Sequence, residues 1–332
     1  MTNNKWQMER NEQMGAFLKL KQALEEKKSF ILICHVEPDG DAVGSMLAIK
    51  EYLESRDCLV AAVCRDKTPK VLNFLSGIGE IKQELPDFKP EAVILLDNGD
   101  FKRTGFQEEI LRLKDQGVSI INIDHHPKND LWKLVTINYA DDQASSACEI
   151  VYRILTGLKH TLNSSLATKI LAGIYLDTGG FRHPNTSDTV LGIVSELLKR
   201  GAKLKKISEN MENSRPISMF RLWGIALKRL YFNEELGISV SVITAADLAE
   251  TGASEEEISG LVNLLNSAPE SRASLLLYET KDAKIKGSLR TDRDDVDLSK
   301  LAHYLGGGGH RKAAGFTISG RIEIVGDKWR VL

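Results

Sequence analysis

"FILICHVEPDGDAVGSMLAI", Phe30–Ile49, joins two textures that rarely meet in a soluble protein. An apolar run ends at His35, and Asp39 and Asp41 follow with Pro38 and Gly40 among them. An apolar-periodic segment then begins. The run reads as a buried strand and the periodic segment as a helix. Between them lies a tight turn that Pro38 and Gly40 are expected to shape, so that Asp39 and Asp41 point to different places.

The same texture recurs outward from this stretch. "CLVAAVCR" (58–65), "EAVILLDN" (91–98) and "QGVSIINIDHH" (116–126) read as further strands. "QMGAFLKLKQALEEKKS" (13–29) reads as an amphipathic helix with Met14, Phe17, Leu18 and Leu24 on its apolar face. "AVGSMLAIKEYLESR" (42–56) is a helix with Val43, Leu47 and Leu53 inward, and "NSSLATKILAGIYLDTGGF" (163–181) is one that runs into Asp177. Strands alternate with helices and are almost continuously apolar. That pattern predicts an α/β fold, with a doubly wound, mainly parallel sheet covered on both faces.

From Phe181 to Ser218 the chain turns helix-rich and charged, without strand patterning, and Pro184 and Pro216 bracket it. It reads as a connector. A different mixture follows. "GISVSVIT" (237–244) is a strand, and "SEEEISGLVNLLNSA" (254–268) a helix with Ser254 and Glu257 placed as a capping box. "ASLLLYET" (273–280) and "AKIKGSLRT" (283–291) form a hairpin across "KDA". "DLSKLAHYLGGGGH" (297–310) is a helix ending in glycines, and "AAGFTIS" (313–319) a last strand. The expected layout is a first domain over 1–190, a helical connector over 191–216 and a smaller α+β domain over 217–332.

Composition limits the function. The chain has 332 residues, 42% of them hydrophobic, and a formal net charge of −2, so it carries no global basic field for long duplex nucleic acid. Cys34, Cys58, Cys64 and Cys148 show neither a CxxC pair nor zinc spacing, and read as reduced core thiols. The polar N-terminus lacks the apolar core of a signal peptide, and no run is long enough to span a membrane. A cytoplasmic protein without membrane partners is expected.

On this map His35, Asp39, Asp41, Asp97, Asp124, His125 and His126 all follow or end strands. The carboxyl edge of an open parallel sheet is where ligands bind. Asp177 lies at a helix end, where the macrodipole disfavours a lone anion. Asp39, Asp41, Asp97 and Asp177 drawn together would repel strongly, and two divalent cations would offset their charges. Mixed imidazole and carboxylate donors suit Mn²⁺, Co²⁺, Zn²⁺ or Fe²⁺ better than Ca²⁺. Two such ions about 3.5–4 Å apart serve phosphate ester hydrolysis. His160 and His183 have no partner pattern, and Glu37 reads as a solvated loop carboxylate.

"GGGGH", Gly306–His310, is no dinucleotide fingerprint, because it follows a helix and lacks GxGxxG spacing. Its glycines permit close backbone approach and an anion nest. Arg311 follows His310, and Ser288 and Arg290 lie on a strand that could neighbour the loop. Aromatics are 6% of the chain, and no stacking residue stands out.

"HVEPDGDAVGS", "LLDNGD", "IDHH" and "GIYLDTGGFR", in this order, resemble the four motifs of the DHH phosphoesterase superfamily. "GGGGHRKAAGF" resembles the signature of the associated DHHA1 domain. Length and the "FRHPNT" segment most resemble the bacterial oligoribonuclease group, which also dephosphorylates 3′-phosphoadenosine 5′-phosphate (pAp). The resemblance implies that His35 and Asp39 bind one metal, that Asp41, His125 and Asp177 bind another, and that Asp97 bridges both. It puts His126 against the substrate phosphate and makes Asp124 a group that orients a ligating imidazole or the loop. Ser288, Arg290, Gly307, Gly308, Gly309 and His310 would hold the non-scissile end of the substrate in a cleft between the domains. The implied cofactors are two divalent ions, Mn²⁺ first and Mg²⁺ or Co²⁺ as alternatives. The implied substrates are very short single-stranded RNA, cleaved from the 5′ end, and pAp. A linear or cyclic dinucleotide phosphodiesterase (pApA, pGpG, c-di-AMP) and a RecJ-like exonuclease are the close alternatives, and a homodimer is the oligomeric expectation. A non-catalytic nucleotide sensor should lack some of these ligands, and none is missing.

Overall fold

The central apolar strands of the first half, Ser29–Cys34, Ala92–Leu96 and Ser119–Asp124, are buried on both faces, which is why their sequences show no alternation. In the computed structural model, which describes residues 2–212, 216–280, 282–326 and 328–332, the chain divides into two compact units, Met1–Ser214 and Arg215–Leu332. The first unit runs α1 (Thr2–Glu26), β1 (Ser29–Cys34), α2 (Gly40–Glu54), β2 (Leu59–Val63), β3 (Ala92–Leu96), α3 (Gln107–Asp115) and β4 (Ser119–Asp124). It continues with α4 (Leu131–Leu134), β5 (Ile137–Ala140), α5 (Ala147–Gly157), α6 (Ser164–Asp177), α7 (Asp188–Lys199) and α8 (Leu204–Glu212). The sheet order is β2-β1-β3-β4-β5 and every pairing is parallel, as expected.

Successive side chains of a strand point to opposite faces. Phe30, Leu32 and Cys34 of β1 therefore enter one core, with Val43 and Leu47 of α2, Ile154 of α5 and Ile170 of α6. Ile31 and Ile33 enter a second core, with Phe106 and Ile110 on the α3 side. Two facing glycines let α2 and α6 approach closely. A Cβ on Gly44 would stand 2.6 Å from the Lys169 carbonyl oxygen, and one on Gly173 would stand 2.6 Å from Asp41 Oδ1.

The second unit holds α9 (Ile217–Lys228), β6 (Tyr231–Asn233), β7 (Ile238–Ile243), α10 (Ala245–Thr251), α11 (Leu261–Leu265), β8 (Ala273–Glu279) and β9 (Lys284–Arg290). It ends with α12 (Leu298–Tyr304), β10 (Gly308–His310), β11 (Ala313–Ser319), β12 (Ile322–Val325) and β13 (Lys328–Val331). Its main sheet, β10-β11-β9-β8-β7-β6, is antiparallel except for β7 beside β8. Leu276 and Tyr278 of β8 pack towards α9 and α11, while Leu277, with Leu289 of β9, packs towards α12.

Several expectations need correction. Met14 and Leu18 are exposed, and α1 buries Leu20 and Ala23 beside the expected Leu24. The stretch 254–268 is not one helix. It is a 3₁₀ turn, Glu255–Ile258, followed by α11, because Gly260 (φ 88°) breaks the chain between them. Ser254 makes no side-chain cap, and the Glu257 carboxylate instead accepts a hydrogen bond from Ser218. "AAGFTIS" is followed by the β12–β13 hairpin. The stretch read as a connector builds α7 and α8, which bury Val190, Ile193, Leu197 and Ile207 in the first unit. Residues 213–215 of that stretch, and Lys281 in the β8–β9 turn, lie outside the described residues.

Candidate metal centre

Three chain ends converge where the strand order reverses, beside β1 and β3, the position at which open α/β sheets bind ligands. His35 leaves β1, Asp97 leaves β3, and Asp124 ends β4 with His125 and His126 after it. Asp177 is the last residue of α6, and α2 begins behind Asp39. Asp39 caps α2, its Oδ1 accepting from the Asp41 and Ala42 amides at 3.0 Å. In this turn Glu37 takes the left-handed conformation (φ 53°). A Cβ on Gly40 would overlap Leu176 Cδ1, so any larger residue there would displace the Leu176 side chain.

The side chains fall into two groups that share Asp97. In the first, His35 Nε2 lies 3.8 Å from Asp39 Oδ2 and 3.7 Å from Asp97 Oδ2. In the second, His125 Nε2 lies 4.0 Å from Asp41 Oδ2, 3.4 Å from Asp97 Oδ1 and 3.3 Å from Asp177 Oδ2. Donor atoms of His35, Asp39 and Asp97 lie within 4.8 Å of one another, and so do those of Asp41, His125 and Asp177. Asp97 itself sits at φ 58°, a strained region for a non-glycine residue and typical of functional sites.

His126 also approaches Asp97, with Nδ1 3.5 Å from Oδ1. That nitrogen is already taken by Asp124 Oδ1 at 2.7 Å, and the same oxygen accepts the His126 backbone N–H at 3.0 Å. Asp124 Oδ2 accepts from Gly99 N–H at 2.9 Å. Fully buried Asp124 thus clamps both the His126 ring and the β3 loop, and leaves the ring's Nε2 edge free for a ligand.

Electrostatics fit a cation pair. Burial alone would raise the pKa of Asp97, but the imidazoles of His125 and His35 outweigh it and hold the carboxyl at about 2. Burial opposes a charged His125, yet Asp97, Asp41 and Asp177 outweigh it and push its pKa to about 10. Burial and the Asp97 charge raise Asp177 to about 6, against the pull of His125. Burial, with Asp97 and Asp177, also lifts Asp41 well above the carboxylate range. Protons on imidazole and carboxyl groups thus balance the crowded charges, a task divalent cations perform at the same donors. Buried Asp97 Oδ1 accepts no hydrogen bond, which a ligating oxygen would explain. The residues therefore fit two divalent ions held by mixed imidazole and carboxylate donors.

Sequence reasoning missed four contacts around the site. The amides of Ala147 and Cys148, at the start of α5, donate to Asp41 Oδ2 at 2.5 Å and Oδ1 at 2.8 Å. The sequence signal was present, because Ser146 and Glu149 stand at capping spacing before an apolar run, and Ser146 Oγ does accept from Glu149 N–H. Asn98 ties β1 to β3, donating to the Ile33 and Leu96 carbonyls. Arg103 places Nη2 3.0 Å from His35 Nδ1, and no local pattern announced it. His183, left unassigned above, reaches the Asp177 carbonyl with Nδ1 at 3.1 Å.

In the second unit, Ser288, Gly315 and Gly308 form one cross-strand row, and Arg290, Ala313 and His310 the next. Paired residues share a face, so Ser288, Arg290 and His310 flank a floor of small residues, opposite the face that buries Ile285 and Leu289. Arg290 is half-buried, and its guanidinium donates to the Leu289 carbonyl. The glycine run is a paired edge strand more than an open nest. Gly306 (φ 75°) ends α12, and a Cβ on Gly307 would overlap the Gly315 carbonyl.

Residues 29–174 match the DHH family, N-terminal domain, and residues 237–326 the DHHA1 domain. The bifunctional oligoribonuclease and PAP phosphatase NrnA of Thermus thermophilus is 31% identical over 287 residues, which cover 86% of this chain and 83% of that protein. The Bacillus subtilis protein of the same name is 29% identical over 296 residues, covering 87% and 89%. The crystal structure of an exopolyphosphatase-related protein from Bacteroides fragilis has a TM-score of 0.81 at 25% identity, covering 91% of both chains. Described residues contain no helix long and apolar enough to cross a membrane. By these matches the chain belongs to the DHH/DHHA1 phosphoesterase superfamily, in its oligoribonuclease and PAP phosphatase group.

Proposed function

We propose that this chain hydrolyses very short RNA to mononucleotides, from the 5′ end, and removes the 3′-phosphate of pAp, using two divalent ions, Mn²⁺ first among them. The observation that carries the reading is Asp97 standing between two donor groups, its Oδ2 3.7 Å from His35 Nε2 and its Oδ1 3.4 Å from His125 Nε2. His35 and Asp39 would hold one ion, Asp41, His125 and Asp177 the other, and Asp97 both. When bound, such ions supply an acidified water and neutralise charge on the phosphoryl oxygens.

The chain's own residues do the rest. Asp124 fixes the His126 tautomer by accepting from Nδ1–H, so Nε2 of the neutral ring is an acceptor and that of the charged ring a donor. His126 pKa is raised, first by its hydrogen bond to Asp124 and against burial, which favours the protonated ring that can donate to a phosphate oxygen. The Ala147 and Cys148 amides keep Asp41 pointed at its site. Ser288, Arg290, His310 and the backbone of Gly307, Gly308 and Gly309 would hold the far phosphate or terminal nucleotide. With few phosphates to neutralise, a substrate of this size suits a chain of net charge −2. Four free, buried cysteines suit the reducing cytoplasm.

The test is a substrate panel of pAp, a linear dinucleotide, a cyclic dinucleotide and a twenty-nucleotide RNA, each with Mn²⁺, Mg²⁺ or Co²⁺. The reading expects fastest turnover of pAp and the linear dinucleotide with Mn²⁺. Preference for the long RNA, or for the cyclic substrate, overturns it.

A further inference from the structure

Arg103 stands at the mouth of this centre without a carboxylate partner. Among the described residues its guanidinium forms no ion pair, although five carboxylates lie in the neighbouring cluster. Its backbone is fixed: Arg103 N–H donates to Asp100 Oδ1 at 2.8 Å, and its carbonyl accepts from Val36 N–H at 2.8 Å. The side chain is half-buried and passes Gly99 (φ 68°). A Cβ on Gly99 would meet Arg103 Nη1 at 3.2 Å and the His126 ring at 3.3 Å, so guanidinium and imidazole flank one spot where only glycine leaves room.

The side-chain hydrogen bond of Arg103 is the one it gives to His35 Nδ1. That contact conflicts with a second one. His35 Nδ1 also lies 2.6 Å from the Val36 carbonyl, which can only accept. If His35 is to ligate through Nε2, its proton must reside on Nδ1 and go to Val36, the usual arrangement of a ligating histidine. Nδ1 then has no lone pair for Arg103, whose donors are left beside the His126 ring at the spot that Gly99 keeps open.

We infer that Arg103 is a substrate-binding residue whose guanidinium grips a non-bridging oxygen of the scissile phosphate beside His126. The inference rests on the activity proposed above. Guanidinium matches phosphate geometry through two parallel N–H donors, which an ammonium cannot copy.

The test compares wild type with Arg103→Lys and Arg103→Ala in three measurements: Mn²⁺ uptake by electron paramagnetic resonance, turnover of pAp, and inhibition by inorganic phosphate. The inference expects Mn²⁺ stoichiometry and affinity unchanged in both variants. It expects kcat/KM lower by about 100-fold, as when one charge-stabilising donor is removed. It expects phosphate inhibition weaker by about tenfold, and methylguanidinium to restore part of the turnover of Arg103→Ala. Mn²⁺ affinity falling in step with turnover would reduce Arg103 to a prop for His35 and overturn the inference, as would unchanged kinetics in Arg103→Lys. A wild type that binds Mn²⁺ yet ignores pAp and dinucleotides overturns the proposed activity itself, a distinct result.

Discussion

Gly173→Ala separates the packing of this protein from its metal chemistry. The residue lies on α6 against α2, where an added Cβ would overlap Cys148 Sγ and stand 2.6 Å from Asp41 Oδ1. Neither neighbour can yield freely. Asp41 is fully buried and anchored by two amides at 2.5 and 2.8 Å, and Cys148 is fully buried as well. Overpacking of a tight core costs about 1–3 kcal/mol. Displacing Asp41, whose buried carboxyl holds its proton in the metal-free protein, from the Ala147 and Cys148 amides adds the loss of hydrogen bonds, about 0.5–1.5 kcal/mol each when wholly broken. The predicted loss of stability is therefore about 2–4 kcal/mol, read by urea unfolding of the metal-free protein. The double variant Cys148→Ala with Gly173→Ala removes the thiol overlap but leaves the Asp41 contact. It should regain part of the stability and none of the metal affinity at the second site, which calorimetric titration should find weakened about 10–100-fold. If Gly173→Ala binds Mn²⁺ as wild type does, or if the double variant recovers full affinity, then Asp41 is not held as described.

Other predictions follow from the same geometry. Asp124→Asn should lower kcat by about 10–100-fold with Mn²⁺ stoichiometry unchanged, because it loosens His126 and Gly99 without removing a ligand; unchanged kcat under saturating substrate would refute the clamp. Mn²⁺ at 100 times its dissociation constant should stabilise the protein by about 2.7 kcal/mol for each ion bound, and a chelator should reverse the shift in melting temperature. In the second unit, burial alone would raise the pKa of Asp247, but its ion pair with Arg229 and its bonds to Thr244 hold it below the usual range. A depressed folded-state pKa stabilises above the unfolded value and is lost as pH falls through the folded one. Arg229→Met should therefore cost about 1–3 kcal/mol at pH 7 by urea unfolding, and progressively less below about pH 4.

The parallel sheet was legible because Phe30–Cys34, Ala92–Leu96 and Ile120–Ile123 bury both faces and so drop the usual alternation. His35, Asp39, Asp41, Asp97, His125 and Asp177 were legible as a set because strong ligand types punctuate the ends of apolar segments. What stayed hidden depends on long-range packing. Asp41 is held by amides 106 and 107 residues away, and Arg103 meets His35 across 68 residues. No local pattern encodes such distances. Gly40 looked like a turn residue, but the Leu176 side chain occupies the space that a Cβ there would take. The four glycines looked like an anion cradle, yet Gly307 and Gly309 are small because β11 lies against them. The helix at 254–268 looked continuous, since the extended ψ of Ser259 and the positive φ of Gly260 that divide it leave no local break signal beyond one glycine.

Mn²⁺ titration of wild type and Asp97→Asn, followed by electron paramagnetic resonance, tests the shared carboxylate most directly. Two ions per chain with exchange-coupled signals are predicted for the wild type, and loss of both the coupling and tight occupancy for Asp97→Asn. A wild type that takes up a single isolated ion, or an Asp97→Asn protein that still shows the coupled pair, would contradict the account.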